Sequence, residues 1–257
     1  MSSGPVLARA KEGPVVIATL NRPAKANAVN REVLSALEDL AAEIEADWRS
    51  GRSRALVLAG AGTKAFSAGA DIAELAGLDR EAAHRQMRRG QAVFGRLEQL
   101  PVAVVAAIDG YALGGGLELA MAADLRVATP RSRFGQPEIN LANLPGWGGT
   151  QRLPRLVGLG RAKELVLSGE LIGAQRAYEI GLVNQLADDA LQSALRLAST
   201  LAARSPAAVA GAKRSLHIGL SAGFDAGLAA EAEAAAGCCQ TEAQRAAVRA
   251  FLGRASQ

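Results

Sequence analysis

The stretch DGYALGGGLELAMAAD, Asp109–Asp124, decides how the rest of the chain is read. A short apolar run, Val102–Ile108 (VAVVAAI), precedes it and predicts a buried strand. Gly114, Gly115 and Gly116 come next, followed by an alanine- and leucine-rich segment that favours helix. A strand that runs through glycines into a helix presents free backbone N–H groups where the helix dipole is positive. Glu118 falls within the first turn or so of that helix. An acid there fits an ordinary helix-start carboxylate as well as a functional one, and this stretch alone leaves both readings open.

Bulk properties narrow the classes. The 257-residue chain can bury a large core, as one domain with an appendage or as two domains. Hydrophobic residues make up 49% and aromatic residues only 4%, a globular composition far from that of disordered chains. Net charge is +4, but the 29 basic and 25 acidic residues are interspersed. That balance mildly favours an anionic ligand and does not support nucleic-acid binding. Cys238 and Cys239 are adjacent, a spacing that suits neither a structural disulfide nor a zinc site, so they read as small packing residues in a reducing compartment. The N-terminal MSSGPVLARAKEG lacks the apolar core of a signal peptide, and no apolar run approaches the ~20 residues of a membrane helix. A cytoplasmic location is expected.

Outward from the opening stretch, Val15–Leu20 (VVIATL) and Ala55–Leu58 (ALVL) read as strands, and Leu125–Ala128 as a further one. Asn30 can cap a helix on which Val33, Leu37, Leu40, Ile44 and Trp48 recur at spacings of four, three, four and four. Arg80–Leu100 reads as a helix with Met87, Phe94 and Leu97 on its apolar face; His84, Arg85, Arg88 and Arg89 form its solvated side. Asn140, Asn143, Pro145, Gly146, Gly148 and Gly149 predict an irregular segment, the kind that carries function on a rigid scaffold. From Arg161 onward the chain is mostly helical, with Asp188 or Asp189 as one cap and Ser205-Pro206 opening another helix. The last helices, about 225–236 and 241–252, are alanine-rich, which fits either an oligomer interface or a cap on the core. No internal sequence repeat is visible.

Chemistry is reached by subtraction. Neither the loop after Ala55–Leu58 nor Gly114–Gly116 matches a P-loop or G-x-G-x-x-G, so dinucleotide binding is unsupported. Two histidines, one on a surface helix, give no convincing Ser-His-Asp arrangement, and no spacing suggests a metal. Two glycine-rich loops that could each offer a backbone N–H remain, together with two acids in glycine- or proline-marked contexts, Glu118 and Glu138. Two N–H groups converging on a carbonyl oxygen make an oxyanion hole. A pair of carboxylates in an apolar cleft can divide the work of acid and base. Either glutamate alone would pass for a surface or capping residue.

Five segments, in order, break the tie. They are Asn21-Arg22-Pro23 with Lys25-Ala26-Asn27-Ala28, Phe66–Ile72 (FSAGADI), Gly114–Ala120 (GGGLELA), Phe134–Glu138 (FGQPE) and Pro145–Leu153 (PGWGGTQRL). Through them the chain closely resembles the enoyl-CoA hydratase/isomerase (crotonase) family over nearly its whole length. The resemblance implies an α/β fold: a crotonase-like spiral of ββα units, residues 1–195, followed by a helical C-terminal oligomerisation region, residues 196–257. It implies homotrimers, often paired as hexamers, and a coenzyme A thioester as substrate, with no separate cofactor and no metal. Backbone N–H groups at the positions of Ala70 and Gly115 would hold the thioester oxygen. Glu118 and Glu138 would bind one water, adding hydroxyl at C3 and a proton at C2 of a trans-2-enoyl thioester. Lys25, Ala26 and Ala28 match the segment bordering the nucleotide end of CoA, and Ala68, Asp71, Ile72 and Trp147 fall among substrate-binding positions. Isomerases of the family commonly keep one acid, so both glutamates favour hydration over isomerisation, hydrolysis or carbon–carbon cleavage. A non-catalytic, RNA-binding member would lack the acids or carry a concentrated basic helix.

Three departures stand out: Ala73 where the family often has lysine, Leu117 where cysteine is frequent, and Trp147 in place of a small residue. Trp147 is read either as a packing tryptophan or as a residue that narrows the acyl pocket towards short or unusual acyl groups.

Overall fold

Two strands open the chain in the computed structural model, which describes residues 4–255; Met1–Ser3 of the N-terminal segment read above lie outside it. β1 (Leu7–Glu12) pairs antiparallel with β2 (Val15–Leu20). The sequence reading missed β1 because only Leu7 of LARAKE is buried. Its charges instead reach across to the next helix, α1 (Arg31–Arg49), where Arg9 meets Glu43 and Lys11 meets Asp47, each at 2.7 Å. A charged, mostly exposed edge strand of this kind resists pairing with other chains. α1 begins as its sequence predicts. The Asn30 side chain accepts from the Val33 N–H at 3.0 Å. Val33, Leu37, Leu40 and Ile44 are buried on one stripe, with Trp48 half-buried at its end.

The middle of the chain repeats one plan. β3 (Ala55–Gly60) leads to the short β4 (Ala65–Ser67), then to α2 (Ile72–Leu75) and α3 (Arg80–Glu98). β5 (Ala103–Ile108) leads to β6 (Tyr111–Leu113) and α4 (Gly115–Met121). β7 (Leu125–Ala128) leads to β8 (Arg133–Gly135), a 3-10 helix at Pro137–Leu141, and α5 (Gly149–Val157). Each turn lays its first strand in one sheet and its second in another, which is the ββα spiral expected above. After α6 (Leu159–Ser168), β9 (Ile172–Gly173), α7 (Ala174–Glu179) and β10 (Gln185–Leu186), helices α8 (Ala190–Ala202), α9 (Pro206–Ala222), α10 (Phe224–Cys239) and α11 (Glu242–Ala255) close the chain.

The larger sheet has the order β1-β2-β3-β5-β7-β10 and is parallel from β2 onward. Its central strands are apolar throughout because both faces are covered. Leu56, Leu58, Val104, Ala106 and Ile108 pack into the core shared with α1 and α3. Val57, Ala59, Val105 and Ala107 alternate to the other face, against Ala194, Leu195 and Ala198 of α8. Residues 195 and 196, between which the sequence reading divides the chain, lie inside this continuous helix. The smaller sheet, β4-β6-β8-β9, has its first three strands parallel.

α9 is tied to the spiral by Lys213, whose Nζ lies 2.7 Å from both the Val102 carbonyl oxygen and Asp124 Oδ2. Asp124 Oδ2 also accepts the Val104 N–H at 2.7 Å. On α10, Cys238 is half-buried but Cys239 is exposed, so only the first fits the packing role read from sequence. No helix among the described residues is long and apolar enough to cross a membrane.

Candidate active site

Three loops meet because three short parallel strands end side by side. The C-terminal end of β4 at Ser67 delivers Ala68–Asp71, that of β6 at Leu113 delivers Gly114–Glu118, and that of β8 at Gly135 delivers Gln136–Glu138. A cavity of about 160 Å³ opens between them. Ala68, Ala70, Gly115, Glu118, Glu138 and Trp147 all line it. Ala70 is pinned by its neighbours: Val29 donates to the Gly69 oxygen at 2.8 Å and Asp71 donates to the Val29 oxygen at 2.9 Å. Among the described residues, neither the Ala70 nor the Gly115 N–H has an intramolecular partner. Gly115 is also the first residue of α4, where an N–H is free by helix geometry.

The three consecutive glycines each answer to a different neighbour. Gly114 has φ +50° and ψ −126°, a backbone region that L side chains rarely enter, and a Cβ there would lie 2.8 Å from Glu138 Oε1. A Cβ on Gly115 would lie 2.6 Å from Trp147 Cζ3 and 3.2 Å from the Ala70 nitrogen. On Gly116 it would lie 2.7 Å from Ser67 Cβ. The loops carrying Ala70 and Gly115 are thus packed to their limit, and that packing brings the two free N–H groups to one side of the cavity.

Glu118 is 2% exposed. Its Oε1 accepts the N–H groups of Trp147 and Gly149, both at 2.7 Å. Burial pushes its carboxyl up, while the N–H groups of Gly149 and Trp147, and the charge of Arg152 after them, pull it down. Both of these bonds go to Oε1, and the nearby Gly148 N–H adds a weaker downward pull on the carboxyl. Glu138 is half-buried and is pushed up to about 7, by burial first; its own N–H offsets part of this and the nearby Glu118 adds to it. With the Gln136 amide turned so that its nitrogen faces this carboxyl, it donates to both oxygens at 3.1 Å, which favours the charged form and opposes the push of burial. Gln136 is fully buried. One pocket therefore holds an acid gripped by backbone donors, an acid that titrates near neutrality, and two unpaired N–H groups.

Trp147 is buried in the core, as a packing tryptophan would be, and it also lines the cavity. The turn that carries it is clamped by Arg152, which donates to the Trp147 oxygen at 2.9 Å and pairs with Glu98 at 2.8 Å. Sequence reasoning missed Gln136, Arg152 and Glu98 in this role. It also missed Asn27, which is buried and bonds the Ala61 and Ala65 oxygens at 3.0 and 2.7 Å while accepting the Arg22 N–H at 3.0 Å. Leu117 is fully buried, a packing residue.

Not every predicted residue comes to the cavity. Ile72 does, half-exposed at the rim. Lys25, Ala26, Ala28 and Asp71 do not line it. Lys25 is exposed at the end of the Pro23–Lys25 turn, Ala26 accepts the Ala68 N–H at 2.9 Å, and Asp71 pairs with Arg22 at 2.9 Å. Arg22 in turn donates to the Ala28 oxygen at 2.6 Å. Among the described residues no cluster of side chains has a metal-binding arrangement.

Comparison with known proteins agrees with this architecture. The family model for enoyl-CoA hydratase/isomerase matches residues 10–256. The chain is 42% identical over 244 residues to the short-chain-enoyl-CoA hydratase of Clostridium acetobutylicum, covering 94% of this chain and 92% of the relative. It is 38% identical over 244 residues to the crotonyl-CoA hydratase of Syntrophomonas wolfei, covering 94% and 93%. The solved structure of the enoyl-CoA hydratase from Bacillus anthracis superposes with a TM-score of 0.91 at 37% identity, covering 97% of this chain and 96% of that one. The spiral, the paired glutamates and these matches lead to one assignment: the chain belongs to the enoyl-CoA hydratase/isomerase (crotonase) family.

Proposed function

We propose that the protein is an enoyl-CoA hydratase that adds water across the C2=C3 bond of a trans-2-enoyl-CoA thioester to give the 3-hydroxyacyl-CoA. One observation carries the reading: Glu118, Glu138 and the unpaired N–H groups of Ala70 and Gly115 line the same small cavity. The two N–H groups hold the thioester oxygen, and the start of α4 favours the negative charge that develops there as an enolate forms. Glu118, whose charged form two backbone donors favour against the upward push of burial, takes a proton from water through Oε2 as the water oxygen bonds to C3. Glu138, titrating near neutrality, gives its proton to C2. The C2=C3 electron pair passes into the enolate and then forms the new C2–H bond. A proton moved from Glu118 to Glu138 restores the starting state.

Lys25, Ala26 and Ala28 border the nucleotide end of CoA in this proposal, supported by the exposed position of Lys25 and its positive charge. Assembly as a homotrimer or hexamer is supported by exposed apolar residues on the C-terminal helices, among them Leu216, Leu220 and Phe224. A cytoplasmic location rests on the reading of the cysteine pair, neither of which is bonded to the other.

The test is loss of the conjugated enoyl-thioester absorbance with purified protein. Glu118→Gln and Glu138→Gln should each slow turnover ~100-fold or more, the scale of general acid–base catalysis. Retention of full activity in either variant would overturn the assignment of that acid. No turnover on any enoyl-CoA would overturn the hydratase reading.

A further inference from the structure

The Trp147 side chain is fixed in place by shape alone. Gly90 of α3 forms a notch for it: a Cβ there would lie 2.5 Å from the indole Cγ and closer still to Cδ1 and Nε1. Phe94, one turn further along α3, meets the ring edge-on, with centroids 5.5 Å apart and planes at 83°. The indole Nε1–H has no hydrogen-bond partner among the described residues. Its six-membered ring edge lies against Gly115, beside the two free N–H groups. A second cavity, of about 420 Å³, also begins at Trp147, the one residue common to both linings.

Volume turns this placement into specificity. The catalytic cavity, about 160 Å³, is close to the ~150 Å³ of an engineered apolar cavity that holds one benzene ring, about six heavy atoms. A carbonyl group, three further carbons and one water are about that number. From this, and resting on the hydratase reading above, we infer that Trp147 sets the acyl-length limit, confining the site to trans-2-enoyl thioesters of about four carbons. Longer chains meet a ring that cannot turn aside, because α3 holds its far edge in the Gly90 notch.

The experiment compares kcat/KM for four-carbon and ten-carbon trans-2-enoyl-CoAs in the wild type, Trp147→Phe and Trp147→Ala. Trp147→Phe keeps an aromatic ring for Phe94 and deletes the unpaired N–H, so it guards against a fold lost in Trp147→Ala. In the wild type the ten-carbon substrate should be at least ~10-fold poorer, the discrimination that one methylene against a pocket wall gives. The ratio should shift towards the longer chain by ~10-fold or more in Trp147→Ala, with Trp147→Phe between. Equal wild-type use of both lengths would overturn the inference, since the acyl tail would then leave over the exposed rim of Leu141 and Leu144. An unchanged ratio in both variants would overturn it as well. Binding of butanoyl- and decanoyl-CoA, measured by calorimetry in the same proteins, separates the two readings. Absent turnover sinks the hydratase proposal, while the binding ratio still decides whether Trp147 sets the limit.

Discussion

Glu138 makes the stability of this protein depend on pH in an unusual direction. An ordinary glutamate near 4.5 is raised here to about 7, chiefly by burial. Between those values the native state holds a proton that the unfolded chain has released. Stability therefore falls as pH rises: the contribution is fully present below about 4.5 and is lost by the time pH passes about 7. At ~1.4 kcal/mol for each tenfold, the upper bound is about 3 kcal/mol. Glu138 is only half-buried, so solvent screening reduces the expected effect to about 1–2 kcal/mol. Glu138→Gln mimics the protonated acid and cannot ionise. Urea unfolding at fixed protein concentration should give nearly equal stabilities at pH 5, and a variant more stable than the wild type by about 1–2 kcal/mol at pH 8. Glu118 is raised too, but it is present in both proteins, so its contribution largely cancels in the difference. A difference that stays flat from pH 5 to 8, or that grows in the wild type's favour, would refute the burial argument and with it the reading of Glu138 as a proton donor near neutrality.

Other perturbations separate packing from chemistry. Gly115→Ala gains at most ~1 kcal/mol of helix propensity against ~1–3 kcal/mol of overpacking on a Trp147 ring that cannot yield, so thermal stability should fall by up to ~2 kcal/mol. Its methyl, 3.2 Å from the Ala70 nitrogen, fills the carbonyl seat, and hydration should fall ~100-fold or more; an active variant would locate the seat elsewhere. Arg152→Met releases the Trp147 oxygen and strands Glu98, costing about 2 kcal/mol in a urea titration and lowering kcat more than it raises KM, because the loosened turn is the one that grips Glu118. Asn27→Ala removes three hydrogen bonds, one buried and two partly buried, at a position with φ +55° and should cost about 2–4 kcal/mol in the same titration.

What could be read in advance follows the physics of pattern. Val33, Leu37, Leu40 and Ile44 announce α1, and the uninterrupted apolar runs at β3 and β5 announce strands covered on both faces. β1 escapes because Arg9 and Lys11 carry its contacts through charge. The ββα repeat escapes because its second strands are three residues long, too short for a period. Its helical parts also differ from turn to turn, four and then nineteen residues after β4 but seven after β6. Glu118 and Glu138 are legible because glycines and a proline mark their surroundings and the family's segments surround them. Arg152 and Glu98 touch across 54 positions, and Gly90 matters for an atom that it lacks. Neither leaves a local trace.

Lys213 gives the order of synthesis a physical meaning. Its contact with the Val102 oxygen spans 111 residues, so the ribosome makes β5 and Asp124 long before their cation exists. At ~5–20 residues per second, Asp124 waits on the order of ten seconds for α9. Until then its carboxylate, which burial pushes up and Lys213 pulls back down, has either to stay in water or to take up a proton. A nascent chain cannot close the spiral around that charge at its mature strength. A product truncated before α9 would lack for good the cation that balances Asp124.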